Sequence, residues 1–187
     1  MSILISKIKD QEKDILFSLA EEGACLYGFS STYLKVMESK NAGWDLIYCD
    51  GVLLRRATGE LVSIKTERRS ETDTIPWRLS CRDWTVSTVA RDSVSQDYPA
   101  SFVNLNLMWI VGSVDIYQKR IEYEGQVISY DQSVVFRSKN QHGRSLMLNN
   151  GLFPDYKPTS ILTVSNNTDF IEETLSHKYV SLRCSSG

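Results

Sequence analysis

The chain has 187 residues, of which 42% are hydrophobic and 24% are charged, and its formal net charge is −2. This length and this hydrophobic content suffice for one folded domain, and they exclude a largely disordered protein. The net charge also excludes a protein that coats nucleic acid over its whole surface, although it leaves a local anion-binding surface open.

The chain begins with a short apolar segment that we interpret as an arm. Ile3, Leu4 and Ile5 lie in it, but residues 1–9 have neither the hydrophobic region nor the cleavage site of a signal peptide. No run of about 18 apolar residues occurs, so we expect no transmembrane helix. These features predict an intracellular protein, not secreted, that is cytoplasmic or peripheral at a membrane. It would consist of the arm and one domain, residues 10–187.

Two helices are predicted after the arm. Apolar residues at helical spacing indicate a first helix over residues 10–22, which Gly23 would end. A capping serine, Ser30 or Ser31, precedes a short apolar stripe and indicates a second helix over residues 31–40.

From residue 44 on, apolar and polar residues alternate, which is the pattern of β-strands. Asp50-Gly51 separates two such runs, and this dipeptide is a strong signal for a tight β-hairpin. Thr58-Gly59 predicts the next turn, before a third strand. Residues 77–90 fit either a helical stripe or two strands, and the threonine and valine content of the second half favours strands.

Phe102 to Arg137 is the longest apolar, β-rich stretch, and we interpret it as the centre of an antiparallel sheet. The alternation shifts by one residue at Gly112-Ser113, which predicts a β-bulge. Glu124-Gly125 and Asp131-Gln132 predict turns between further strands. A last helix over residues 169–177, with acidic residues in its first turn, completes the prediction. The fold class is α+β, an antiparallel β-meander core with N-terminal helices and one C-terminal helix.

The sequence has no motif for a cofactor or a metal. Phosphate-binding loops, dinucleotide-binding glycine patterns and the serine-hydrolase elbow are all absent. His142 and His177 are isolated from one another. The four cysteines are also far apart in the sequence: Cys25, Cys49, Cys81 and Cys184. We interpret them as free thiols and expect no cofactor.

A carboxylate–lysine set is the best candidate for catalysis. An aspartate, Asp45 or Asp50, would lie close to Glu60 and Lys65 in a hairpin meander, where two carboxylates hold Mg²⁺ and the lysine stabilises a phosphate. This set resembles the PD-(D/E)xK nucleases, although Ser63 stands where that family has an acid two residues before the lysine. An Mg²⁺-dependent nuclease is therefore the alternative function. The other interpretation is that these are turn residues and an exposed lysine.

Residues 55–82 form a basic segment beside two tryptophans. The segment holds seven basic and four acidic residues, an excess of three positive charges in a chain that is negative overall. Such a segment can contact phosphate in RNA or in anionic membrane headgroups, and the sequence does not distinguish these from an ordinary solvated loop. The anion-binding candidates are Arg55, Arg56, Lys65, Arg68 and Arg69.

An apolar arm in front of a β-rich centre predicts self-association. Unpaired strand edges accept strands from other chains, and an arm can be exchanged between copies. The candidates for this contact are Ile3, Leu4 and Ile5. An arm that folds onto its own core is the equally weighted alternative.

The arm, the basic segment and the stretch from Phe102 to Arg137 together resemble, in architecture, the small matrix proteins of negative-strand RNA viruses of the rhabdovirus type. That resemblance implies a non-enzymatic viral structural protein. Such a protein would associate with itself and contact RNA, a nucleoprotein or an anionic membrane surface, without a small-molecule cofactor.

Overall fold

The computed structural model describes residues 2–30, 35–39, 43–49, 51–68, 82–90, 110–123, 125–141, 144–150, 162–166, 168–176 and 184–185. The helices are α1 (Asp10–Glu21) and α2 (Thr168–Ser176). The first six strands are β1 (Ser2–Ser6), β2 (Cys25–Ser30), β3 (Lys35–Ser39), β4 (Gly43–Cys49), β5 (Gly51–Arg55) and β6 (Leu61–Arg68). The other six are β7 (Arg82–Val89), β8 (Val111–Tyr123), β9 (Gln126–Ser138), β10 (Ser145–Asn150), β11 (Leu162–Ser165) and β12 (Cys184–Ser185).

The strands form two sheets. The larger has eight strands in the order β12-β8-β9-β10-β11-β4-β3, with β1 added to β9, and the smaller has the order β2-β5-β6-β7. Every described pair is antiparallel except β1 with β9, which is parallel. The described part of the chain is therefore mainly sheet with two helices, in agreement with an α+β fold around an antiparallel core.

The two sheets share one hydrophobic core, to which α1 also contributes. The large sheet supplies mainly alternate residues of its central strands: Val114, Ile116, Val134, Phe136, Leu146 and Leu148. The small sheet supplies Val52, Leu54, Val62, Ile64, Trp84 and Val86, and the helix supplies Leu16 and Leu19. Burial of one such side chain contributes about 1.5–3 kcal/mol, so this core is the main source of stability.

A smaller cluster lies on the other face of the large sheet. Val135 and Met147 are buried there against Ile171 of α2, and Tyr117 and Leu175 pack at its margin. The C-terminal helix predicted from residues 169–177 is thus confirmed as α2 and covers this face.

The predicted second helix is wrong for the residues that are described. Lys35–Ser39 form β3, which pairs antiparallel with β4 at the end of the large sheet. A stripe of three apolar residues is too short to distinguish a helix from a strand, and pairing with a neighbouring strand overrides such a weak preference. The first helix is confirmed, since α1 covers Asp10–Glu21.

The predicted hairpin at Asp50-Gly51 is also wrong. The preceding strand, β4, pairs with β3 and β11, whereas the following strand, β5, pairs with β2 and β6 in the other sheet. The chain therefore passes from one sheet to the other at this point. Cys49 and Val52, on either side, are both fully buried in the shared core. The residues next to the dipeptide are buried on both sides, so the shared core and not the turn signal decides the pairing here.

The bulge predicted at Gly112-Ser113 is confirmed. Val111 pairs with Ser138 and Ser113 pairs with Arg137, so Gly112 has no opposite residue on β9. The turn predicted at Asp131-Gln132 is wrong, because β9 runs through it without interruption. Gln132 is instead a second bulge residue, since Gln118 pairs with Asp131 and Tyr117 pairs with Ser133. A polar pair inside a strand and a turn both interrupt the apolar alternation, so the sequence pattern alone does not distinguish them.

Several other predictions agree with the structure. Gly59 and Gly125 have φ angles of 89° and 73° at the turns predicted for them, where the absence of a Cβ permits that backbone. Residues 84–88 lie in a strand, as favoured, and that strand, β7, also includes Arg82 and Asp83. Residues 77–81 and 102–109, which the sequence also assigned to strands, lie outside the described part of the chain.

Candidate functional site

The N-terminal arm forms the parallel strand β1 on one edge of β9. Ile3 pairs with Ile128 and Leu4 with Ser129, and the register shifts between Leu4 and Ser6, at the third predicted arm residue, Ile5. Strand β8 pairs along the opposite edge of β9, and β10 pairs with residues 133–137. Because a strand has only two edges, β1 and β10 share one edge of β9 and lie end to end along it.

Asp131 lies where β1 and β10 meet on β9 and binds three other segments. Its Oδ2 accepts a hydrogen bond of 2.8 Å from the backbone N–H of Ile8, and its Oδ1 accepts one of 3.2 Å from Gln118 Nε2. Its backbone carbonyl accepts a hydrogen bond of 2.6 Å from Trp84 Nε1. Asp131 is only 5% exposed and Ile8 is fully buried, so the junction behind the arm is held inside the protein.

Glu12 makes a second link between the N-terminal region and the sheets. Its Oε2 accepts the backbone N–H of Lys9 at 2.8 Å, and its Oε1 accepts that of Val86 at 3.3 Å. Strand β7, which contains Val86, is the outer strand of the small sheet, so Glu12 satisfies a backbone donor at that edge. The start of α1 is thereby fixed to both the arm and the small sheet.

Arg55 and Arg56, two of the predicted anion-binding residues, differ from each other in exposure and in ion pairing. Arg55 is exposed at the end of β5, with its guanidinium 5.7 Å from the centre of the Tyr27 ring. The side chain of Arg56 is only 11% exposed, and it pairs with Glu22 and, at 3.0 Å from its Nε, with Glu60. Arg56 therefore joins the β5–β6 turn to the end of α1, and its charge is already compensated.

The remaining candidates lie along β6 or beyond it. Arg55 pairs with Leu61 at the start of β6, whereas Lys65 pairs with Gly51 and Arg68 pairs with Arg82. At about 3.3 Å per residue, Leu61 and Arg68 are roughly 23 Å apart. Arg69 lies outside the described residues. The structure thus separates Arg55 from Arg68 instead of bringing the set into one patch.

The nuclease set is not assembled in the described part of the chain. Glu60 precedes β6 and is paired with Arg56, whereas Lys65 lies five residues further on, roughly 16 Å along the strand. Glu60 and Lys65 are therefore not brought together around one phosphate group. Asp50, the third member, is outside the described residues. Among the residues that are described, no three histidine, cysteine, aspartate or glutamate side chains form a group that could hold a metal ion.

The sequence did not point to the ion pair between Asp115 and Arg137. Asp115 is fully buried, and its Oδ2 accepts a hydrogen bond of 2.9 Å from Arg137 Nε, while Arg137 Nη2 donates to Tyr117 Oη at 3.3 Å. Burial alone would lower the pKa of Arg137, but these hydrogen bonds raise it above its ordinary value. The one feature of the sequence that could have indicated this pair is Asp115 itself, an acidic residue between the apolar residues Val114 and Ile116.

Two further properties bear on function. Cys25 is half-buried and Cys49 is buried, and both are free thiols as expected. Neither described helix is long and apolar enough to cross a membrane.

Comparisons of the chain with protein-family models, with curated proteins and with solved structures found no match.

Proposed function

We propose that this protein is a non-enzymatic assembly protein. It associates with itself through its N-terminal arm, and it contacts an anionic surface, RNA or membrane headgroups, through basic residues. The observation that carries the proposal is the position of β1, which occupies a part of the β9 edge that β10 leaves open.

The arm has the features of an exchangeable strand. Its described pairing is with a single strand, β9. Only Lys7 and Ile8 separate it from Lys9, the extended residue before α1. A change of backbone direction at Lys9 would deliver residues 2–8 to a second copy. There, the same pairing with β9 and the same hydrogen bond to Asp131 would form again. Exchange of this kind needs no new surface, because each copy keeps identical contacts.

The anionic contact rests on Arg55, which the folded chain leaves exposed, and on the other basic residues that the sequence places in the basic segment. Arg55 is exposed, whereas the charge of Arg56 is compensated by two glutamates, so Arg56 contributes little to such a contact. Lys65, Arg68 and Arg69 complete the proposed set from the basic segment. A matrix-like role in a negative-strand RNA virus is the specific form of this proposal, and its support is the order of arm, basic segment and β-rich centre in the sequence.

Removal of residues 1–7 tests the self-association. We expect multi-angle light scattering to give a smaller mass for the shortened chain than for the full chain at equal concentration. Far-ultraviolet circular dichroism shows whether the shortened chain remains folded. An unchanged mass in a folded variant would contradict the role of the arm.

A peptide of residues 2–8 provides a second test that needs no mutation. Because the peptide carries the whole β1 strand and Ile8, we expect it to compete for β9 and to lower the mass of the full-length protein. A peptide of the same composition in scrambled order is the control. Equal effects of both peptides would contradict a specific strand exchange.

A further inference from the structure

The loop between β9 and β10 carries a concentrated positive charge. No aspartate or glutamate occurs between Gln132 and Pro154, whereas Arg137, Lys139 and Arg144 all lie in this interval. We refer to these three residues as the basic loop cations. Lys139 and Arg144 are exposed, and neither side chain has an ion pair or a hydrogen bond with the described residues.

Arg137 is held in one orientation at the base of this loop. Its Nε is bonded to the fully buried Asp115 and its Nη2 to Tyr117, while 42% of the side chain stays exposed. No hydrogen bond involves its Nη1 within the described residues. A guanidinium fixed in this way loses little conformational freedom when a further acceptor binds to it.

The described backbone of the loop is also fixed. The N–H of Ser138 bonds to the carbonyl of Arg144 at 3.0 Å, and the N–H of Gln141 bonds to Ser138 Oγ at 3.0 Å. Ile110, just before β8, donates its N–H to Asn140 Oδ1 at 3.0 Å and accepts the N–H of Lys139 at 2.8 Å. These bonds fix the backbone at Lys139 and at Arg144, close to the two strand ends that the loop connects.

Gly112 permits this close contact between the loop and β8. A Cβ atom at position 112 would lie 2.9 Å from the Cα atom of Lys139. The bulge at Gly112 thus lets β8 lie directly against the start of the loop. Ile110 is 37% exposed, the one large hydrophobic side chain in the described structure that is exposed, and it adds an apolar contact next to the cations.

We propose that the basic loop cations bind the phosphates of single-stranded RNA. The described side chains at the loop end, Asn140 and Gln141, are polar, and Ile110 is the single exposed large apolar side chain beside them, so insertion into a bilayer would bury little apolar surface. Electrostatic attraction of three cations to an anionic membrane contributes only about 1 kcal/mol per residue, so RNA is the favoured source of the phosphates. This inference rests on the anionic contact of the proposed function, but it does not rest on self-association.

The test uses the full-length chain and a fluorescently labelled oligouridylate. Lys139→Glu with Arg144→Glu is the test variant. The control is Arg120→Glu with Ser87→Glu and Thr88→Glu, since all these side chains are exposed and both variants lower the net charge by four. Arg120 pairs with Ser129, eight residues along β9 from Arg137, or roughly 25 Å away. Thermal melting of both variants establishes that they fold.

We expect the test variant to bind the oligouridylate about tenfold or more weakly than the wild type, with little change in the control. The slope of log affinity against log salt should fall by about 1.4, since each phosphate contact on a single strand contributes about 0.7. Absence of binding by the wild type, or equal losses in both variants, would overturn the inference.

Two further experiments distinguish this inference from the wider proposal. The first measures RNA binding by the double variant Arg68→Glu with Arg69→Glu. If this variant loses RNA binding and the test variant does not, the basic segment makes the anionic contact and only the assignment to the loop is overturned. Binding to phosphatidylserine vesicles without binding to RNA would overturn the choice of RNA. Light scattering of the same variants measures self-association independently of all these outcomes.

Discussion

The carboxylate of Asp131 accepts a hydrogen bond of 2.8 Å from the backbone N–H of Ile8, 123 residues earlier in the chain. This bond lies where the arm leaves β9 and turns toward α1. Asp131 is buried, so the bond is protected from competition with water. In the proposed exchange, the same carboxylate would accept the N–H of Ile8 from either copy, so we expect Asp131 to determine how firmly an arm is held.

Replacement of Asp131→Ala should loosen the arm and destabilise the fold. The change leaves the N–H of Ile8 and the amide of Gln118 without their acceptor in a buried place, and an unsatisfied donor costs about 1–3 kcal/mol. We expect a loss of about 2–4 kcal/mol in urea unfolding and faster hydrogen exchange at residues 2–8. Gln118→Ala removes the longer bond of the two, leaves the bond to Ile8 in place and should cost less. Equal exchange at the arm in both variants would contradict the role of Asp131.

Arg56→Met should reduce stability without changing the binding of anions. The substitution keeps the aliphatic bulk of the side chain but leaves Glu22 and Glu60 without their shared cation. Since both glutamates are partly exposed, we expect a loss of about 1 kcal/mol in unfolding experiments. The matched variant Arg55→Met, at an exposed position, should be nearly neutral in stability. A marked drop in oligouridylate binding by Arg56→Met would show that Arg56 is a contact residue after all.

The ion pair of Asp115 and Arg137 should support the large sheet over a broad pH range. Hydrogen bonds raise the pKa of Arg137, so its contribution to stability is fully present below the ordinary arginine pKa and is lost only as the pH rises through the raised value. The unfolding free energies of the wild type and of Arg137→Met should therefore differ by a constant amount between about pH 6 and about pH 10. Chemical denaturation across this range measures the difference, and a difference that shrinks toward pH 10 would contradict the assignment.

The sequence predicted those parts of the fold that depend on local patterns. The shift of alternation at Gly112 identified a real bulge, and the glycines at positions 59 and 125 identified real turns. Both features depend on residues adjacent in the chain, so they are visible without knowledge of the partner strands. The pairing of strands across Asp50-Gly51 was not predictable in this way, because β4 pairs with β11, more than a hundred residues later, while β5 pairs with β6 in the other sheet.

The candidate site was predicted less well, for a related reason. Residues Ile3, Leu4 and Ile5 were identified from their apolar character, but their partner strand and Asp131 lie more than a hundred residues away. A count of charges identified Arg56 as an accessible cation, whereas two glutamates from different elements compensate it. Such contacts arise from the tertiary arrangement and leave no periodic signal in the sequence.

The exchange of β1 between copies can be measured directly with a disulfide. Leu4 and Ser129 are Cα partners in the register of β1 and β9, so cysteines at these positions have the separation that a disulfide requires. Chains carrying only Leu4→Cys are mixed with chains carrying only Ser129→Cys under mild oxidation, and mass spectrometry identifies the linked peptides. A single chain with both substitutions is the control for geometry. A disulfide between positions 4 and 129 of different chains is the predicted result. Its absence in the mixture, when the control chain closes its own disulfide, would contradict self-association through the arm.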